Sequence, residues 1–104
     1  MSPIIEGKIE DGVLHAALGI NRLDASSSRD FKKHFEAIWS PEVSRVELDF
    51  EKVDFIDSSG VGALLGVYKR LSGDEPNLKL KGVQPPVQSV IELLRLHRIF
   101  DISN

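Results

Sequence analysis

The hydrophobic pattern of this chain switches repeatedly between two periods, and that switching restricts the folds open to it more than any other feature. Within Val43 to Phe50, the residues Val46, Leu48 and Phe50 alternate with Arg45, Glu47 and Asp49, the period of two expected of a strand covered on one face. A short way on, Val61, Leu64, Leu65 and Tyr68 stand at i, i+3, i+4 and i+7, which predicts a helix from about Ser58 to Leu71 with one buried stripe. Leu78 to Val83 alternates again as a strand, and Pro85-Pro86 opens a helix with Val87, Val90, Ile91 and Leu94 on one face. Strands separated by helices need crossover connections, so the sheet must contain parallel pairings.

The rest of the chain fits the same scheme. Ile4 to Glu10 and Val13 to Leu18 read as strands on either side of Asp11-Gly12, a pair that suits the positive φ angles of a two-residue hairpin turn. Ser26 to Trp39 reads as a helix with Phe31, Phe35 and Ile38 inward, Ser27 and Asp30 spaced as a capping pair, and Pro41 just beyond its end. Val53 to Ile56 leads into the second helix, Gly73 is placed to stop that helix, and Ile99 to Ile102 closes the chain as a short strand. The expected order is ββαβαβαβ. This is one α/β domain over residues 1–104, with a mixed, mostly parallel sheet, an N-terminal β-hairpin and about three helices.

Composition removes several function classes. At 104 residues the chain can bury roughly two-thirds of the surface its unfolded form exposes, enough for a core without cross-links. The absence of cysteine rules out disulfides and thiolate metal sites. No apolar run approaches ~18 residues, and Met1-Ser2-Pro3-Ile4-Ile5-Glu6-Gly7 lacks the regions of a signal peptide, so a cytoplasmic protein without membrane association is expected. A net charge of −3 argues against a nucleic-acid clamp. The charge is uneven: residues 41–60 carry six acids against Arg45 and Lys52, a balance of −4, whereas Lys69 to Arg98 carries six positive and three negative residues.

At the strand-to-helix turn, Asp57-Ser58-Ser59-Gly60-Val61-Gly62, packing alone does not explain the residue choice. Gly60, Gly62 and Gly66 fall in or at the start of the predicted helix, where an interior glycine costs about 1 kcal/mol relative to alanine. Either a close fit against the sheet or a surface that another molecule approaches closely would offset that. With Val61 at zero on a helical wheel, the large apolar residues centre near about −10°, and Gly62 and Gly66 fall at about 100° and 140°. The same count puts Ser58 at about 60° and Ser59 at about 160°. Gly62 and Gly66 are thus expected away from the core, Ser59 toward solvent and Ser58 toward the sheet. Asp57 is the expected N-cap, with both serines in the first turn. A phosphate on Ser59 would meet the positive end of the helix dipole, add about −1.5 to −2 charges to an already acidic stretch, and break a protein interface formed there.

Val53-Asp54-Phe55-Ile56-Asp57-Ser58-Ser59-Gly60-Val61-Gly62, continuing through Leu65-Gly66-Val67-Tyr68-Lys69, resembles the signature of the anti-sigma factor antagonists of the STAS domain family. Leu23-Asp24-Ala25 resembles the family's loop before the first helix, and Val87 to Ile102, with Leu93, Leu96, Ile99 and Phe100, its closing helix and strand. Asn104 follows soon after that strand, so the additional C-terminal helix common in the family is not expected. The resemblance implies a bacterial partner-switching protein that is not itself an enzyme and uses no cofactor. Its unphosphorylated form binds an anti-sigma factor serine kinase with a histidine-kinase-like ATPase fold. Phosphorylation of the second serine of the pair, here Ser59 with Ser58 as second choice, releases it, and a serine phosphatase restores it. The implied partner-binding residues are Asp24, Asp57, Ser58, Ser59, Gly60, Gly62 and Gly66.

Two other classes fit the residues less well. A serine hydrolase would need GxSxG, but Asp57 stands where its first glycine belongs. His15, His34 and His97 lack metal-ligand spacing, so neither a catalytic base nor a metal site is expected. Gly60-Val61-Gly62 could cradle a nucleotide phosphate, yet Leu65 replaces the third glycine of GxGxxG and no Walker lysine is present. The alternative retained is a STAS regulatory or nucleotide-binding module of a transporter or other signalling complex.

Overall fold

A computed structural model describes residues 4–71 and 77–103. Strands β1 (Ile5–Glu10) and β2 (Val13–Leu18) form the predicted antiparallel hairpin. Asp11 at φ 52° and Gly12 at φ 78° make its turn, the two consecutive positive φ values that this dipeptide suits. The Gly12 carbonyl then accepts the Ser44 amide at 2.8 Å, fixing the hairpin tip to the start of the next long strand.

After β3 (Arg22–Leu23) come helix α1 (Ser28–Ile38), strand β4 (Arg45–Asp49) and strand β5 (Phe55–Ile56). Helix α2 (Ser58–Arg70), strand β6 (Leu78–Lys81), helix α3 (Pro85–Leu93), a 3-10 turn (Leu96–Arg98) and strand β7 (Asp101–Ser103) complete the described elements. The main sheet has the order β1-β2-β4-β6-β7, with only the hairpin antiparallel. Strands β3 and β5 pair in parallel as a separate two-stranded ribbon, an addition to the expected order. Their length of two residues each leaves no room for a periodic pattern. Gly73, the expected stop for α2, lies outside the described residues.

One face of the sheet carries the core. Leu14, Val46 and Leu78 are fully buried and lie in one register row, and Ala16, Leu48 and Leu80 form the next. Burying a side chain of this size contributes about 1.5–3 kcal/mol, and a one-residue slip would turn a whole row outward, so the register is strongly specified. The opposite face holds a polar row of Lys8, His15, Glu47, Lys79 and Asp101. Phe31 and Phe35 of α1, Val87 and Ile91 of α3, and Phe100 close the core from the helical side.

Three expectations are corrected. Leu94 does not share the apolar face of α3: the helix ends at Leu93, the chain turns through Arg95 at φ 60°, and Leu93 and Leu94 are exposed. The last strand begins later than Ile99, which follows the 3-10 turn, and runs from Asp101. Ser27 occupies the N-cap position of α1 but has helical backbone angles and makes no side-chain cap. Its hydroxyl instead donates to the Arg22 carbonyl at 2.8 Å and accepts from the Asp24 amide at 3.1 Å, closing the preceding loop. Among the described residues no helix is long and apolar enough to cross a membrane.

Candidate functional site

The β3–β5 ribbon delivers two loops to one place. Asp57 leaves β5 in an extended conformation and caps α2 as expected, its Oδ1 accepting the Gly60 amide at 3.0 Å. Its Oδ2 accepts the Ala25 amide at 3.2 Å, so one carboxylate holds both the first turn of α2 and the loop entering α1. Asp24 organises that loop. Its Oδ1 accepts the Ser26 hydroxyl at 2.6 Å and the Ser26 amide at 3.0 Å, and its Oδ2 faces Arg22 Nε at 3.2 Å. The Ser26 hydroxyl first, and then Arg22, hold the Asp24 carboxyl below its ordinary range against an opposing effect of burial.

Arg22 and Phe55 were not singled out by the sequence. The Arg22 guanidinium lies 4.0 Å from the centroid of the Phe55 ring, beside its pairing partner across the ribbon. Phe55 is one of three large apolar residues exposed among the described residues. In the sequence it continues the alternation from Val53, which is buried, so nothing local marked it as an outward residue.

Helix α2 is turned relative to the expected wheel. Its buried residues are Gly60, Val61, Ala63, Leu64 and Val67, whereas Leu65 and Tyr68 are half-buried. The inward face therefore centres near about −90° rather than −10°. Small residues cause the rotation: Gly60 packs against Leu23 and Ile56, where a Cβ would overlap the Leu23 carbonyl oxygen and come within 2.7 Å of Ile56 Cγ1. Gly60 is thus a packing residue and no part of the exposed face.

The rotation reverses the two serines. Ser58 is exposed and Ser59 is half-buried, contrary to the orientation expected from the large apolar residues. Gly62 and Gly66 remain on the outside, where a Cβ would meet nothing within 4 Å. Ser58 and Gly62 lie along the outward ridge, while Ser59, Ala63, Gly66 and Arg70 follow the flank that turns toward α1, at about 140° to 200° on the wheel. On that flank a groove of about 240 Å³ runs between the helices, lined by Lys32, Phe35 and Glu36 of α1 and by Ala63, Gly66, Val67 and Arg70 of α2. Arg70 closes one end by pairing with Glu36, its guanidinium 5.3 Å from the Trp39 ring centroid.

The structure therefore gathers Asp24, Asp57, Ser58 and Ser59 around two joined loops and extends Gly62 and Gly66 from them along α2. The histidines lie elsewhere. His15 faces Glu47 at 3.7 Å on the polar side of the sheet, and His34 and His97 are exposed. Among the described residues no cluster of three metal-ligating side chains occurs.

Residues 12–104 match the STAS domain family. Over 67 residues the chain is 31% identical to the anti-sigma F factor antagonist of Paenibacillus polymyxa, an alignment covering 64% of this chain and 57% of that protein. It therefore spans little more than half of that relative's length. A candidate anti-sigma factor antagonist from Thermotoga maritima superposes with a TM-score of 0.78 at 26% identity, over 96% of this chain and 86% of that one. The anti-sigma factor antagonist SpoIIAA in its unphosphorylated form gives a TM-score of 0.73 at 20% identity, over 96% and 88%. The Bacillus cell fate determinant SpoIIAA in its phosphorylated form gives 0.64 at 20% identity, over 96% and 91%.

Proposed function

The chain belongs to the STAS domain family, and on that premise we propose that it is an anti-sigma factor antagonist governed by phosphorylation. Unphosphorylated, it binds an anti-sigma factor serine kinase of histidine-kinase-like ATPase fold in the cytoplasm. Phosphate on Ser59 ends the complex, and a serine phosphatase restores it. The protein supplies a hydroxyl to its partner's active site and performs no chemistry of its own. The observation that carries this reading is the pairing of first-turn serines with an open glycine flank on one helix, Gly62 and Gly66 leaving room for a second backbone to approach. That SpoIIAA has structures in both phosphorylated and unphosphorylated forms supports a switch of this kind.

Each residue has a role in the switch. Asp57 holds the first turn of α2 through the Gly60 amide and the loop entering α1 through the Ala25 amide. Asp24 shapes the neighbouring loop and borders the surface. A doubly charged group at an interface without a cation on the partner side opposes binding by desolvation and repulsion. Coupling of about 1–3 kcal/mol corresponds to a change in affinity of about 5- to 150-fold.

The test is incubation with an anti-sigma factor kinase and ATP, followed by mass spectrometry and by affinity measurements on Ser59→Ala and Ser59→Asp. Phosphate should appear on Ser59, and Ser59→Asp should lose the complex that Ser59→Ala keeps. Phosphate on another residue, or equal binding by the two variants, overturns the assignment.

A further inference from the structure

The charged groups that line the α1–α2 groove are unevenly matched. At its far end Glu36 and Arg70 neutralise one another. Lys32, across the groove from Ala63 and Gly66, is exposed and enters none of the ion pairs among the described residues. Arg29, one turn before Lys32 on the same flank of α1, is also exposed and also outside those pairs. The two helices run side by side in the same direction, joined near their starts by the Ala25–Asp57 hydrogen bond and near their ends by Arg70 and Glu36. Ser59 lies one turn, about 6 Å, before Ala63 on the flank of α2 that faces this groove. The Asp57 carboxylate, two residues before Ser59, is already occupied by two amides.

We infer that Arg29 and Lys32 form a built-in receptor for a phosphate on Ser59, drawing it into the mouth of the α1–α2 groove. The inference rests on Ser59 as the modified residue and extends that reading to what happens after modification. The phosphate does not simply project as a repulsive charge. It is held against α1 by two cations, and the held group covers the end of the flank on which Gly66 is open. Ser58 lies on the outward ridge, about 100° away around the helix, and its phosphate would stand clear of both cations. The structure thereby separates two adjacent serines by what each would meet once modified, although the unmodified Ser58 hydroxyl is the more exposed of the two.

The experiment installs phosphoserine by genetic encoding at position 59, or at 58, in the full chain and follows the phosphate by phosphorus NMR across pH. The second phosphate ionisation at position 59 should lie below the ordinary value of about 6, by about half a unit. Arg29→Gln combined with Lys32→Gln should remove that shift, and Lys32→Arg alone should preserve it. Phosphoserine at 58 should titrate alike with and without the cations. A phosphate at 59 that ignores the double substitution, or one at 58 that responds equally, overturns the inference. Because no kinase takes part, the result is separate from whether a kinase chooses Ser59.

Discussion

On the buried flank of α2, Gly60 meets the Leu23 carbonyl oxygen and the Ile56 side chain so closely that a Cβ has no room. On the exposed flank of the same helix, Gly62 and Gly66 have nothing within 4 Å. The missing side chain brings the helix into contact with the β3–β5 ribbon in the first case. In the second it leaves a bare backbone facing outward at a helix interior, where alanine would be the better helix former. The second kind of glycine adds nothing to the packing of the fold, and it is the kind the proposed docking surface calls for.

Substitution can break this contrast. The largest effect is expected at Gly60→Ala, where overpacking against backbone should destabilise by about 3 kcal/mol and lower the midpoint of thermal unfolding by roughly 15 °C. A tolerated alanine there would abolish the distinction between the two flanks. Next is Asp57→Ala, which removes the helix cap and the link to Ala25. A loss of about 1–2 kcal/mol in denaturant unfolding is expected, and an unchanged midpoint would mean that packing around Gly60 holds the turn without the cap. Opposite in sign, Gly62→Ala and Gly66→Ala should each stabilise by about 0.5–1 kcal/mol while weakening the proposed complex with an anti-sigma factor kinase. If calorimetry finds them destabilising, the outer flank is structural after all.

The smallest effect concerns the loop that borders the site. The folded-state carboxyl of Asp24 titrates below its ordinary value of 3.8. Its contribution is present above the unfolded-state value and is lost as pH falls through the lower folded-state one. The stability difference between the wild type and Asp24→Asn should therefore hold above pH 3.8 and shrink below it. A difference that is constant across that range would show that the carboxylate does not hold the loop.

The parts of the fold visible in the sequence were those with local causes. Asp11-Gly12 specifies its turn through backbone preference, and Val46, Leu48 and Phe50 specify their strand through alternation, so both stand where expected. The β3–β5 ribbon was not visible, because Arg22–Leu23 and Phe55–Ile56 are too short to carry a period and pair over a long sequence separation. At the site, Asp57 could be read as a cap from its position alone, and the structure keeps it there. The orientation of Ser58 and Ser59 could not be read so simply. Counting only large apolar residues gives Leu65 and Tyr68 too much weight, whereas tight packing of Gly60 and Ala63 sets the rotation of the helix. The groove facing α1, with Lys32 on its wall, depends on how two helices dock and has no signature within either one.

The double grip of Asp57 has a further consequence for how the molecule loosens. Because the same carboxylate accepts from Gly60 on one oxygen and from Ala25 on the other, any movement of the Asp57 side chain would loosen the start of α2 and the loop that enters α1 together. That shared anchor links the two loops across a long sequence separation, and a change at the serines that displaced Asp57 would reach α1 through it.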